Sequence, residues 1–244
     1  MIRDFVRTRT SLGVKVAAHT LLAEYRIQRL HRSGLAKARR FVGQKHLKLN
    51  LGCGPNVKEG WVNIDLSRWA DLHLDLREDL PFADESVALI YSEHFFEHLA
   101  YPDEVRHLLQ ESFRVLQPGG VFSVGVPDLE PQLVEYVRET TDSDGLQPED
   151  FARKRKARGE EEQNLWIPRW VFTTHLHIIN WYFRQNNEHK YAYDFPTLAM
   201  VLAEAGFEEI DRRPFDPELD TEKRRAETLY VDARKPADIA KLSA

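Results

Sequence analysis

From residue 47 onward, short apolar runs alternate with stretches whose apolar residues recur every three or four positions. This pattern predicts βα units and a largely parallel sheet. Strands are expected at 47–52, 62–66, 72–75, 87–92 and 120–126. Pro102 to Leu116 reads as a helix, with Pro near its first turn and Asp103 and Glu104 at its positive end. Val105, Leu108, Leu109, Ser112, Val115 and Leu116 lie along one side of it. Pro118-Gly119-Gly120 then stops the helix and turns into the next strand. Further on, "DFPTLAMVLAEAGF" reads as a helix ending at Gly206. Phe207 to Phe215 and Thr228 to Lys235 read as an antiparallel edge hairpin around a charged loop. Together these runs predict an α/β fold with seven strands, mostly parallel, an antiparallel last strand and helices on both faces.

Two regions fall outside this alternation. Residues 1–46 form a basic extension in which Val14, Ala18, Leu21, Leu22 and Tyr25 recur at helical spacing, so a helix burying that face on the body is expected. The polar stretch Thr140 to Asn164, with "RKRKAR" followed by "GEEEQ", holds too few large apolar residues for a core layer. It is expected to be an excursion over the sheet edge, and the region of about 140–190 a lid or insertion within a domain spanning 47–244.

Charge and cysteine usage narrow the setting. Residues 1–48 carry twelve Lys or Arg against Asp4 and Glu24, a balance of +10, which leaves -15 for the remainder of a chain whose net charge is -5. The arm suits either an anionic partner, such as a membrane surface touched peripherally, or a solvated helix face. The acidic body argues against nucleic acid as a partner. With one cysteine, Cys53, no internal disulfide forms. No apolar run approaches the ~18 residues of a membrane span, and Lys15, His19 and Glu24 interrupt any signal-peptide core, so a cytoplasmic protein is expected.

The run "LNLGCGP" (49–55) places Gly52 and Gly54 at the end of the first strand, and Asp65 closes the second strand in "WVNIDL". In an open α/β sheet, ligands sit beyond the carboxyl ends of the strands, where glycine lets backbone come close. A carboxylate closing the neighbouring strand is placed to accept hydrogen bonds from a ribose diol. Val57 stands where a dinucleotide fingerprint needs its third glycine, so the pattern favours a nucleoside over a pyrophosphate ligand.

Taken with "LDLREDLPFADESVALIYSEHFFEHL" and "LLQESFRVLQPGGVFSVGVPD", these motifs resemble the class I S-adenosylmethionine-dependent methyltransferases of the type 11 branch, in detail over 47–127. The resemblance implies a Rossmann-like sheet and S-adenosylmethionine as cofactor. It implies that Gly52 and Gly54 pass close to the cofactor and that Asp65 holds its ribose. Asp75 and Leu76 would meet the adenine, while Ser92 and Glu93 would lie near the methyl group. "PNVKEGW" departs from the family by leaving room for a turn or two where a longer helix is usual.

For the chemistry, His94, Glu97 and His98 in "SEHFFEHL" stand at i, i+3 and i+4. The spacing resembles the Glu-x-x-Glu-His element of plant small-RNA 2'-O-methyltransferases, which implies a divalent metal (Mg or Mn) with a distal ligand among His175, His177 and His189. A histidine-rich set suits Mn, Fe, Co or Zn better than Mg. Without a metal, His94 or His189 is the candidate general base. "EHKYAYDFPTL" (188–198) resembles an element of methyltransferases of polysaccharide and cell-envelope biosynthesis, which implies a sugar or glycan hydroxyl as acceptor. By that resemblance Asp194 would flank the substrate opening, though its place before the helix favours an N-cap, and Asp128 in "VPDLE" could equally hydrogen-bond substrate or cap the helix that follows. Trp166, Trp170, Trp181, Tyr182 and Phe183 offer a sugar platform or a piece of core. Competing readings are methylation of another small metabolite, such as a quinone, lipid or polyketide hydroxyl, and a non-catalytic cofactor-binding module.

Overall fold

The computed structural model describes residues 11–141 and 174–237. Its centre is a sheet of six strands: β1 (Leu47–Leu51), β2 (Val62–Ile64), β3 (Val87–Glu93), β4 (Leu116–Pro127), β5 (Glu208–Arg212) and β6 (Thr228–Arg234). Their spatial order is β2-β1-β3-β4-β6-β5. Strands β1 to β4 pair in parallel, while β6 runs antiparallel to both β4 and β5. Leu49, Leu51, Ile64, Ile90, Phe122, Val124 and Val231 are buried to within 1% and make the core continuous across the sheet.

Seven strands were expected, and among the described residues six form. The run at 72–75 adds only a lone parallel bridge from Leu72 to Ile64. Two side chains intervene. Asp71 Oδ2 accepts from the Asn63 backbone N–H at 3.0 Å, and the Asp75 N–H donates to His31 Nδ1 at 3.1 Å, so the backbone past Leu72 bonds outside the ladder.

Among the described residues, five α-helices surround the sheet: α1 (Leu12–Ala38), α2 (Asp103–Val115), α3 (Glu130–Thr141), α4 (His175–Arg184) and α5 (Phe195–Glu204). In α2, Val105, Leu108, Leu109, Ser112 and Val115 are buried, the side expected from their spacing. Asp194 caps α5, its Oδ1 accepting from the Thr197 N–H at 2.9 Å, and Gly206 closes that helix at φ 97°. Asp128 likewise accepts from the Glu130 N–H, at 3.1 Å, where α3 begins.

The amino-terminal helix departs from expectation. Val14, Ala18, Leu21, Leu22 and Tyr25, expected to be buried, are all exposed, and Leu21 is 73% exposed. Contact runs instead along Ile27, His31, Gly34 and Ala38. At 27 residues, α1 is about 40 Å long by helical rise, and its buried positions, Gly34 and Ala38, fall in its second half. Gly34 marks the closest approach, since a Cβ there would meet the His73 carbonyl oxygen at 2.3 Å.

Between β1 and β2 no helix forms. The turn is pinned by Asn63, whose Oδ1 accepts from the Lys58 N–H at 2.8 Å and from Asn50 Nδ2 at 2.9 Å. The loop 213–224 covers the sheet beside this turn. Lys58 Nζ donates to the Leu219 carbonyl, Tyr91 donates its hydroxyl to Asp220 at 3.0 Å, and Arg213 pairs with the same buried Asp220 at 2.6 Å. The sequence leaves room here for no more than a turn or two, and the loop supplies the cover that a helix would give. The expected lid lies outside the described residues over 142–173, as do Trp166 and Trp170. Residues 174–187 form α4 and one 3-10 turn. No helix among the described residues is long and apolar enough to cross a membrane.

Candidate active site

The chain leaves β1 toward β2 on one side, then returns to place β3 on the other side of β1. That switch opens a crevice at the carboxyl ends of β1 and β3. Gly52 takes φ 66° there, and Phe95 from the β3 loop packs against it so tightly that a Cβ would lie 2.4 Å from the ring. Gly54, at φ 49°, donates its N–H to Asp65 Oδ2 at 2.9 Å, and Ser67 donates its own to Asp65 Oδ1 at 2.6 Å. Each carboxylate oxygen therefore has one backbone partner and one lone pair left. The half-exposed Asp65 can accept from two neighbouring hydroxyls at once, which is what a ribose presents.

Asp65 lines a cavity of about 200 Å³ together with Leu66, Leu74, Asp75, Leu76, Phe95 and Leu99. Asp75 and Leu76 thus line the same cavity as Asp65, but the Asp75 carboxylate is engaged. Arg77 grips it through Nε at 2.9 Å and Nη2 at 2.8 Å, and reaches on to Glu24 of α1 at 2.8 Å. Burial pushes the Asp75 carboxyl up, and Arg77 more than offsets this, leaving it below the usual carboxylate range. Ile27 of α1 closes the same cavity. Arg77 and Ile27 went unread in the sequence because their roles depend on where α1 crosses.

Ser92 and Glu93 are not brought to the cavity lining. Ser92 is fully buried in β3. Glu93 turns to the loop 213–224, where Thr221 donates its backbone N–H at 3.1 Å and its hydroxyl at 2.6 Å, and Arg224 lies at 3.4 Å.

Beyond the cavity, the chemistry-bearing residues converge. Lys190 donates its N–H to the Glu97 carbonyl at 2.7 Å, which lays the segment 188–191 along the 3-10 turn Phe96–His98. His189 is thereby brought against His98, their rings 5.0 Å apart and edge to face. Glu97 is 1% exposed, and neither of its carboxylate oxygens has a hydrogen-bond partner. Burial raises its pKa to about 8, against a smaller opposing pull from its own backbone N–H and from Arg224. Tyr193, 1% exposed and also lacking a partner for its hydroxyl, shares with Glu97 the lining of a cavity of about 10 Å³.

The sequence groups His94, Glu97 and His98 as metal ligands, whereas the structure groups Glu97, His98 and His189, one ligand atom from each lying within 4.8 Å of the others. His94 is drawn aside by its backbone, at φ 52°, and by Thr228, whose hydroxyl donates to the Arg224 carbonyl at 2.8 Å and so accepts from His94 Nε2–H at 2.8 Å. His94 Nδ1 still faces Glu97 at 3.7 Å. Burial first, then Arg224 and the neighbouring histidines, lower the His94 pKa to about 3; burial also lowers those of His98 and His189. All three rings are neutral at pH 7 and able to accept a proton or offer a lone pair. His175 and His177 sit on the first turn of α4, outside this group. His98 lines the 200 Å³ cavity, so the cluster and the cavity are contiguous.

Residues 49–124 match the family model described as a methyltransferase domain. No curated protein matches the chain. Among solved structures, a SAM-dependent methyltransferase from Archaeoglobus fulgidus aligns at 14% identity and TM-score 0.45, over 82% of this chain and 92% of that one. One from Methanosarcina mazei aligns at 14% identity and TM-score 0.45, over 82% and 97%. One from Aquifex aeolicus aligns at 14% identity and TM-score 0.42, over 82% and 88%. The family match contains the glycine turn, Asp65, the cavity-lining Asp75 and Leu76, and the Glu97–His98 turn, so residues 49–124 carry a methyltransferase domain.

Proposed function

We propose that this protein transfers the methyl group of S-adenosylmethionine to a hydroxyl of a sugar or glycan precursor. The observation that carries the reading is the contiguity of two features. One is an Asp65 carboxylate with a free lone pair on each oxygen, and the other is a set of neutral, lone-pair-bearing histidines beside an unpartnered carboxyl group. Asp65 holds the cofactor ribose, with Leu76 and Ile27 against the adenine. The acceptor hydroxyl sits between the sulfonium methyl and His189, whose Nε2, when no metal occupies it, takes the hydroxyl proton as the oxygen–carbon bond forms and the carbon–sulfur bond breaks. S-adenosylhomocysteine leaves as the other product. His94 Nδ1, facing Glu97, is the alternative proton acceptor. A sugar acceptor is supported by the likeness of "EHKYAYD" to the polysaccharide enzymes and by Trp181, Tyr182 and Phe183 on α4, of which Phe183 is 41% exposed.

Titration of S-adenosylmethionine and S-adenosylhomocysteine into the full chain and into Asp65→Ala, followed by a screen of mono- and oligosaccharides with radiolabelled cofactor, tests the reading. Expected are binding by the wild type, its loss in the variant, and label on a sugar oxygen. Absence of binding by folded wild type overturns the donor assignment. Label on a nitrogen or carbon, or on a non-sugar hydroxyl only, overturns the acceptor.

A further inference from the structure

We propose that Glu97, His98 and His189 form a binding site for a divalent transition cation of the Mn-to-Zn series, and that it discriminates against Mg. Its function deepens the hydroxyl-methylation reading and rests on it, but its binding does not.

Three independent features of the cluster support this. First, both imidazoles are locked in the tautomer a ligand needs. His98 Nδ1 is 3.1 Å from the Glu188 carbonyl and His189 Nδ1 is 2.6 Å from the Tyr182 carbonyl. A carbonyl can only accept, so each Nδ1 carries the hydrogen and each Nε2 presents a lone pair. Hydrogen bonding of the distal ring nitrogen to a main-chain carbonyl is the usual way that metal-bound histidines are fixed. Second, His98 Nε2 lies 3.9 Å from Glu97 Oε1, and all three ligand atoms fit within 4.8 Å of one another, a spacing that a cation at its centre would span. Third, the Glu97 carboxyl is buried with both oxygens unpartnered, an arrangement that costs several kcal/mol by desolvation unless a partner offsets it. A cation supplies that partner.

The donor set determines which cation. Two imidazole nitrogens and one carboxylate suit Mn, Fe, Co and Zn, whereas Mg prefers oxygen donors and retains its waters. Of the Mg or Mn expected from the sequence, Mn is the one this set accommodates. Three protein ligands leave coordination positions for the acceptor, where the ion would lower the pKa of a bound hydroxyl and orient it.

The test is direct titration of metal-stripped full-length protein with Co(II), read by its visible absorption bands, alongside calorimetry with Mn(II), Zn(II) and Mg(II) in the absence of methyl donor. Expected is one high-affinity Co(II), with Mg at least about a hundredfold weaker. Glu97→Gln, His98→Asn and His189→Asn should each weaken Co(II) about a hundredfold or more, at or beyond the roughly ten- to hundredfold that outer-shell partners carry. His175→Asn should leave it unchanged. A rise in melting temperature with Co(II), present in wild type and absent in His189→Asn, would show that the ion joins the segment 188–191 to the turn at 96–98. The proposal is overturned if folded wild type gives no visible bands, if Mg binds as tightly as Co(II), or if the three variants bind as wild type does. Because no readout involves the cofactor, failure here leaves the methyl-transfer assignment standing, and failure of cofactor binding leaves this one standing.

Discussion

Gly52→Ala isolates the contact on which the cofactor crevice depends. The substitution imposes two penalties. At φ 66°, any L side chain is strained by about 1–2 kcal/mol. In addition, the new Cβ would lie 2.4 to 2.5 Å from Cγ, Cβ and Cδ2 of Phe95. Because the Phe95 Cβ is among those atoms, rotating the ring cannot relieve the clash and the loop after β3 must shift, an overpacking penalty of about 1–3 kcal/mol. The sum is roughly 2–5 kcal/mol, which for a domain of this size lowers the melting temperature by about 4–20 °C. Gly60→Ala serves as the control, since Gly60 has φ 75° and nothing within 4 Å of an added Cβ, so it carries only the strain. Gly52→Ala should therefore melt below Gly60→Ala and bind S-adenosylhomocysteine about tenfold or more weakly, as Phe95 lines the cavity. The double variant Gly52→Ala/Phe95→Ala should recover part of the loss, giving a coupling of about 1–3 kcal/mol. Equal melting of the two single variants, or strict additivity in the double, would refute the packing argument.

Two further outcomes follow from capping and burial. Asp194→Ala removes the α5 cap and should lower stability by about 1 kcal/mol at neutral pH, read by urea denaturation. The Thr197 hydrogen bond holds the Asp194 carboxyl below its unfolded value, so its contribution is present above about pH 4 and lost as pH falls through the folded value; the variant should converge with wild type in acid, and a constant difference down to pH 2 would contradict this. Burial first, then Asp65 and Asp71, raise the Cys53 thiol to about 12, so at pH 8 it should react with a disulfide reagent about a thousandfold more slowly than in urea-unfolded protein; comparable rates would mean that the glycine turn opens readily.

The parts of this site that were legible in the sequence are those whose determinants are local. The glycine turn, the carboxylate closing β2 and the buried side of α2 are each written within a dozen residues of one another, and each appears where expected. The parts that were not legible are set by distant backbone partners. Spacing alone grouped His94 with Glu97 and His98, but a positive φ and the Thr228 hydroxyl, 134 residues away, turn that ring aside. His189 replaces it because Lys190 bonds the Glu97 carbonyl, a pairing with no sequence signature. The missing strand at 72–75 has a similar cause, since the apolar pattern is correct but His31 on α1 takes the hydrogen bond that a neighbouring strand would need.

The loop 213–224 has a consequence for how the molecule is made. Glu93 and Thr221 are separated by 128 residues, and Tyr91 and Asp220 by 129. During synthesis β1, β2 and β3 therefore leave the ribosome long before the residues that hold Glu93 exist. A nascent chain stopped before residue 220 has its glycine turn and Asp65 but leaves the Glu93 carboxylate and the Tyr91 hydroxyl without these partners. Such late, non-local closure slows folding and prolongs the exposure of an unfinished sheet. Truncations that remove this loop should therefore aggregate rather than persist as smaller folded domains.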